Sequence, residues 1–171
     1  MGESSSDQLR LRMARELDRS YRLAGLLLGN FAEGEDATHD AMIRAWQAAS
    51  SLRNQDDYQV WFDKILLNIC RDRLRRRQRV RFVELGAEAG ARTAPDAYGR
   101  MLDEDEILRA MKTLGPDLRI VILLRYWADL TVEQIAVRIG KPPGTVKSRL
   151  HTGHERIRRA LATAGETEVP T

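Results

Sequence analysis

The segment LTVEQIAVRIGKPPGTVKSRL, residues 130–150, decides the fold of the C-terminal half of this chain. Thr131 and Gln134 stand at the spacing of a capping box, which predicts the start of a helix. Gly140 lies where that helix should end with a positive φ, and a Pro-Pro-Gly turn follows. Val146 can then anchor a second helix on the first. The pattern predicts a helix-turn-helix, whose second helix can enter a DNA major groove.

The second helix, expected over about 145–162, has two different faces. Val146, Leu150, Ile157 and Leu161 are expected to face the core. Lys147, Ser148 and His151 lie on the face that can reach bases, and four arginines are available for phosphates, namely Arg149, Arg156, Arg158 and Arg159. A plain helical hairpin with a solvated basic face is the alternative interpretation of the same pattern.

Helical periodicity also dominates the rest of the chain. Aromatic residues make up only 6% of the sequence and β-branched runs are short, so we expect an all-α protein. Besides the two helices of the helix-turn-helix, helices are predicted over about 9–28, 34–49, 57–81, 104–114 and 116–127. Gly29-Asn30 should end the first of these, and Gly115-Pro116 should open the helix that begins near 116.

Charge divides the chain into two basic blocks and an acidic connector. Lys plus Arg against Asp plus Glu number 15 and 12 over residues 1–82, 2 and 7 over 83–106, and 11 and 6 thereafter. The connector holds Gly, Ala, Thr and Pro without a sustained period. We therefore expect two small helical domains, 1–82 and 104–165, joined by an acidic linker over 83–103 and followed by a tail over 166–171.

Several classes of protein are disfavoured by composition. Cys70 is the single cysteine, so neither an internal disulfide nor a multi-thiolate metal site is expected, and the three histidines lack metal-ligand spacing. No apolar run approaches a membrane span, and no signal peptide is evident. We expect a cytoplasmic protein without cofactor, metal, catalytic residue or membrane insertion.

The predicted third helix changes character along its length. Its first half carries Trp61 and aliphatic residues, and its second half carries seven arginines between Arg71 and Arg81. Arginines at this density neutralise phosphates, and a neighbouring aromatic can stack on an unpaired base, which suits melted DNA. On spacing alone, however, a core role is favoured for both Trp46 and Trp61.

Two stretches together resemble a known family. Residues 17–79, with EDATHDAMIRAW at 35–46 and VWFDKILLNICRDRLRRR at 60–77, resemble domain two of extracytoplasmic-function (ECF) sigma factors of bacterial RNA polymerase, in the sigma-70 family. Residues 114–161, with LTVEQIAVRIG at 130–140 and GTVKSRL at 144–150, resemble their domain four with its helix-turn-helix. The order and spacing of the two stretches match the family, which implies a transcription initiation factor.

The resemblance also implies a role for particular residues. The loop at 52–58 would capture a base of the minus-ten element, Asn68 would read a base at its upstream edge, and arginines would hold the backbone. The residues implied at the minus-ten element are Leu52, Arg53, Asn54, Tyr58, Trp61, Asn68, Arg71, Arg75 and Arg76. Those implied at the minus-thirty-five element are Thr145, Lys147, Ser148, Arg149, His151 and Thr152.

Protein partners follow from the same resemblance. The second helix would dock on the clamp helices of the polymerase β′ subunit, and domain four would also contact the β flap. The residues implied in polymerase binding are Asp36, His39, Asp40, Ile43, Arg44 and Gln47. Promoter DNA and an anti-sigma factor complete the expected partners.

The sequence departs from the commoner family pattern at 151–154, where His-Thr-Gly-His replaces a more basic segment. Gly153 should cost about 1 kcal/mol against alanine inside a helix, and Thr152 and His154 lack permanent positive charge. We therefore expect a weaker or altered preference for the upstream element.

Two other functions remain open at this point. A regulator could bind duplex operator DNA as a dimer through the helix-turn-helix, with residues 1–82 serving dimerisation or sensing, but this leaves the arginine run unexplained. A small enzyme could use Asp36, His39 and Asp40 as an acid-base or metal cluster, although their helical spacing suits an interface better.

Overall fold

The structure, a computed structural model, describes residues 5–52, 54, 57–85 and 109–165. These residues contain helices and turns and no strand, which confirms the expected all-α class. The helices are α1 (Ser5–Leu28), α2 (Phe31–Gln47), a 3-10 turn (Ala49–Ser51), α3 (Tyr58–Leu85), α4 (Pro116–Tyr126), α5 (Val132–Ile139) and α6 (Pro143–Gly165). Residues 109–112 form one further helical turn.

An N-terminal unit consists of α1, α2 and α3. α1 and α2 approach so closely that a Cβ added at Gly34 would lie 2.5 Å from the backbone nitrogen of Gly25. Ala37, Ala41 and Ala45 continue this seam along α2 and are fully buried. Small residues at a four-residue spacing thus let the two backbones meet along one face of α2.

The boundary between α1 and α2 is set by Asn30. α1 ends at Leu28, as Gly29-Asn30 predicts, and the Asn30 side chain accepts a hydrogen bond of 2.9 Å from the Glu33 N–H. Because this cap satisfies a free donor of the first turn, α2 begins at Phe31, three residues before the expected start.

A C-terminal unit consists of α4, α5 and α6. Thr131 and Gln134 form the predicted capping box, with hydrogen bonds of 3.2 Å and 2.9 Å. Gly140 ends α5 with φ 63°, also as predicted. α6 begins at Pro143, two residues before the expected start, because proline is tolerated in a first helical turn.

The two units pack against each other and share one apolar core. α3 contacts α4 and α5, and α1 contacts α4. The fully buried Asp63 of α3 accepts from Arg19 of α1 at 2.8 Å and from Arg138 of α5 at 2.8 Å. Arg119 of α4 donates to the Leu27 carbonyl at 3.0 Å. The sequence predicts two domains but not this contact between them.

We expect Gly34→Ala to destabilise the N-terminal unit. The added methyl group must displace the backbone of Gly25 and Ala24, which is not a flexible neighbour, so the free energy of unfolding should fall by about 2 kcal/mol. Urea denaturation followed by circular dichroism measures the change. Gly144→Ala is the matched control, because a Cβ there meets nothing within 4 Å. Equal stabilities for the two variants would contradict the close approach.

We also expect the Cys70 thiol to be unreactive in the folded protein. Burial raises the pKa of Cys70 to about 12, so the reactive thiolate is scarce near pH 8 and its sulfur is inaccessible. Reaction with a disulfide reagent should be at least about a hundredfold slower than in urea. An Ala32→Cys variant, exposed on α2, gives the rate for an open site. A native rate equal to that of this control would be inconsistent with burial.

Candidate nucleic-acid interface

The arginines of α3 project from two sides of the helix. Arg71 and Arg75 lie one turn apart and face α4, whereas Arg73 and Arg77 face α2. Arg76 is exposed to solvent. The arginine run is therefore not one uniform surface, since two of its members pack within the N-terminal unit.

Arg73 and Arg77 hold α3 against α1 and α2. Arg73 donates to Asp40 at 2.6 Å and to the Glu33 carbonyl at 3.1 Å. Arg77 donates to the Leu28 carbonyl at 2.8 Å and pairs with Glu33. Partial burial lowers the pKa of Arg77 below its usual range. Sequence reasoning missed this structural use, because it depends on two carbonyls that folding brings beside α3, that of Leu28 at the end of α1 and that of Glu33 in the first turn of α2.

The residues expected to capture a base surround the start of α3. Asn54 is exposed and Leu52 is half-buried, packed on the core, while Arg53 lies outside the described residues. Tyr58 is only 3% exposed and stacks on Phe62 with 5.7 Å between ring centroids. Burial raises the pKa of the Tyr58 phenol above its usual range. The Tyr58 ring is therefore part of the core, beside Trp61 and Phe62, and is not accessible to a base in this structure.

Trp61 and Asn68 lie along the accessible side of α3. Trp61 is half-buried against the core and donates through Nε1 to Ser51 Oγ at 3.2 Å, which ties the helix to the 3-10 turn. Asn68 is exposed, and its Oδ1 accepts from Arg71 Nη1 at 2.8 Å. The amide of Asn68 therefore presents its remaining groups next to the guanidinium of Arg71.

The recognition helix α6 presents most of its predicted residues to solvent. Lys147, Ser148, His151 and Thr152 are exposed. The hydroxyl groups of Ser148 and Thr152 donate to carbonyls of their own helix at 3.0 Å, which leaves their lone pairs to accept from a base amino group. Thr145 is half-buried at the first turn of the helix.

Gly153 has a packing role that the sequence does not reveal. A Cβ at Gly153 would lie 2.9 Å from Cγ1 of Ile122 in α4, so the glycine lets α6 approach α4. His154 Nε2 and the Tyr126 hydroxyl form a hydrogen bond of 2.6 Å. The residues at 151–154 that differ from the commoner family pattern thus lower the positive charge of α6, and two of them, Gly153 and His154, also contact α4. Gly153 therefore lowers the helix propensity of α6 but allows this close contact with α4.

The exposed face of α2 carries all six residues expected to bind polymerase. Asp36, His39, Asp40, Ile43, Arg44 and Gln47 are exposed. His39 Nε2 and the Tyr21 hydroxyl form a hydrogen bond of 2.8 Å, and Asp40 pairs with Arg73. The described residues contain no group of three or more His, Cys, Asp or Glu side chains that could hold a metal ion.

Trp46 is 44% exposed, which corrects the expectation of a core role. The alanine seam of α2 makes the contact with α1, and Trp46, one residue beyond Ala45, is rotated outward from it. Arg10 lies over its ring at 5.1 Å, a cation-π distance. Together they border a groove of about 670 Å³ between α1 and α2, lined by Arg10, Ala14, Leu17, Met42, Ile43, Trp46 and Gln47.

The arrangement defines a class of protein: an all-helical chain with a helix-turn-helix in one unit and a basic helix beside an exposed apolar groove in the other. The model of sigma-70 region 2 matches residues 13–80, and that of sigma-70 region 4 matches residues 104–162. The chain belongs to the sigma-70 family, in its ECF group.

Individual relatives agree with this assignment. The ECF RNA polymerase sigma factor SigE of Mycolicibacterium smegmatis is 31% identical over 150 residues, which cover 85% of this chain and 58% of the relative. The chain therefore spans little more than half the length of that relative. SigW of Bacillus subtilis, also an ECF sigma factor, is 28% identical over 158 residues, with 84% and 83% covered.

A solved structure has the same fold. The sigma factor RpoE of Bartonella quintana, crystallised with the anti-sigma factor NepR, has a TM-score of 0.69 and 24% identity. The likeness covers 90% of this chain and 96% of that one. Within the described part of this chain, no helix has the length and apolarity to cross a membrane.

Proposed function

We propose that this chain binds RNA polymerase core, directs it to promoters and promotes DNA melting at the start of transcription. The proposal is supported by two different exposed basic surfaces on one chain, arginines of α3 in sigma-70 region 2 and the exposed face of α6 in sigma-70 region 4. Arginines of α3 suit a melted strand, and α6 suits a duplex groove. A duplex-only regulator would have no use for the first surface.

Each unit has its own task in this proposal. Residues 1–82 bind polymerase and the minus-ten element, residues 83–103 link the units, and residues 104–165 bind the minus-thirty-five element and the β flap. Residues 166–171 form a tail. Two modest DNA contacts on one enzyme multiply through effective concentration, so the holoenzyme binds a promoter far better than the free chain does.

Melting is driven by binding energy. Unstacking and unpairing a base costs a few kcal/mol. Stacking of the captured base on the protein stabilises the melted strand by about 1 to 3 kcal/mol for each base and so offsets this cost. Asn54, Trp61 and Asn68 lie on the accessible side of this region and are the proposed base contacts, with Leu52 and Arg53 in the same loop. Arg71, Arg75 and Arg76 are proposed to hold the backbone, and Tyr58 to support the loop.

Duplex recognition is assigned to the exposed part of α6. Lys147, Ser148 and His151 are proposed to read the major groove, with Thr145, Arg149 and Thr152 beside them. Thr152 is uncharged, and His154 is hydrogen-bonded to the Tyr126 hydroxyl. We therefore propose that this chain has a weaker or altered preference for the minus-thirty-five element than relatives that are more basic at these positions.

The polymerase surface is proposed to be the exposed face of α2 together with its groove. Apolar side chains such as Ile43 and Trp46 supply the buried centre of an interface, and Asp36, Arg44 and Gln47 supply its polar rim. The chain itself performs no covalent chemistry and needs no cofactor, and it acts in the cytoplasm. Since the Bartonella relative was crystallised with an anti-sigma factor, we include such a factor among the proposed partners.

Run-off transcription tests the proposal directly. Purified bacterial core polymerase transcribes a fragmented genomic library with and without the chain, and the RNA start sites are mapped. We expect new starts that share two spaced upstream motifs. Binding of the free chain to intact duplex without any new start would support the dimeric regulator instead.

We expect Ile43→Asp to weaken binding to core polymerase by about tenfold or more, because a charge would be placed at the centre of an apolar contact. Ile43 is 58% exposed, so folding should be unaffected. Val137→Asp is the matched control, since Val137 is 54% exposed and lies on α5 of the other unit. Titration of labelled core polymerase measures the affinity of each variant. An equal loss of affinity in the two variants would show that Ile43 is not at the centre of the polymerase contact.

A further inference from the structure

We infer that Tyr126 and His154 together form a further DNA contact. In this contact the Tyr126 hydroxyl donates to a backbone phosphate at the border of the minus-thirty-five element, and His154 holds that hydroxyl in place. The inference rests on the proposed function, because it extends the duplex surface assigned to α6. It adds to that surface a residue of α4, which lies outside the helix-turn-helix.

His154 continues the side of α6 that carries the proposed base contacts. Lys147, His151 and His154 follow one another at spacings of four and three residues, so they lie along one side of the helix. A recognition helix contacts bases through its N-terminal residues, and His154 lies one turn, about 4.5 Å, beyond His151. The DNA group expected at that distance along the helix is the phosphate backbone that borders the groove.

Tyr126 is held beside His154 although its side chain remains largely in solvent. It is the last residue of α4 and is 63% exposed. Its hydroxyl oxygen lies 2.6 Å from His154 Nε2, and the two rings meet edge to face with 5.4 Å between their centroids. Since most of the side chain is not packed in the core, the contact with His154 is what directs the phenol toward α6.

Gly153 brings α6 close enough to α4 for this pair to form. A Cβ added at Gly153 would lie 2.9 Å from Cγ1 and 3.0 Å from Cδ1 of Ile122. Ile122 lies one turn before Tyr126 on α4, and Gly153 directly precedes His154 on α6. The close approach of the helices and the hydrogen bond therefore lie side by side, and both use residues that depart from the commoner family pattern.

The pair can present a hydrogen-bond donor to an anion. When His154 Nε2 carries a hydrogen, it donates to the Tyr126 oxygen, and the phenol hydrogen can then be donated to a phosphate oxygen. When Nε2 lacks a hydrogen, the phenol donates to it and has none left for DNA. A phosphate next to the hydroxyl favours the first arrangement, because it accepts the phenol hydrogen. Tyrosine hydroxyls are among the groups that contact DNA phosphates.

The test uses holoenzyme assembled from the full chain and bacterial core polymerase, on a promoter duplex mapped by run-off transcription. Single phosphates around the minus-thirty-five element are replaced by neutral methylphosphonates. We expect one replacement at the border of the element to weaken binding of the parent holoenzyme by about fivefold. Tyr126→Phe, which removes only the hydroxyl, should weaken binding to ordinary DNA by the same factor and lose no further affinity on that replacement.

Tyr21→Phe is the matched control, because it removes the hydroxyl of another tyrosine–histidine pair, in which the Tyr21 oxygen lies 2.8 Å from His39 Nε2. This variant should respond to every replacement as the parent does. His154→Leu should lose the response at the same phosphate as Tyr126→Phe. His154→Gln should keep it, because the glutamine amide nitrogen can donate to the phenol oxygen.

If every replacement weakens Tyr126→Phe as much as the parent, Tyr126 contacts no phosphate and the pair serves only to join α6 to α4, which overturns the inference. A full response in His154→Leu would disprove the role of His154. Failure of the proposed function is a different result, since run-off transcription with the parent chain would then give no new start sites, and both proposals would be wrong.

Discussion

The buried carboxylate of Asp63 is the interaction on which the arrangement of the two units depends. A charge without solvent is tolerated only when it is paired and fully hydrogen-bonded, and Asp63 has Arg19 on one side and Arg138 on the other. These three side chains come from α1, α3 and α5. Removing the carboxylate would leave the buried guanidinium of Arg138 without a counterion and with only the Gln134 carbonyl as an acceptor, so it should strongly destabilise the packing of the two units.

Local patterns predict the helices well, because caps and apolar periodicity act over a few residues. Thr131, Gln134 and Gly140 specify α5 from residues within a single segment. The packing of the units could not be predicted in the same way. It depends on pairs far apart in the chain, such as Asp63 with Arg138 and Leu27 with Arg119, and nothing in either local sequence identifies the partner.

In the candidate site, too, some features can be predicted from local sequence and others depend on how the helices pack. Exposure of Lys147, His151 and Ile43 follows from helical spacing. The exposure of Trp46 and the burial of Tyr58 do not, because each depends on which face of its helix the neighbouring helix covers. Gly153 is a weak position by helix propensity alone, yet its close contact with Ile122 gives it a structural purpose.

α3 runs without interruption from Tyr58 to Leu85, 28 residues or about 42 Å at the helical rise. Its N-terminal half is fixed in the core by Phe62 and Leu66, and its C-terminal half carries the arginines. The two halves therefore form one stiff rod without a hinge. Under the proposed function, a rod that is fixed at its core end cannot bend at the arginine end, so the deformation that accompanies strand separation would occur in the DNA.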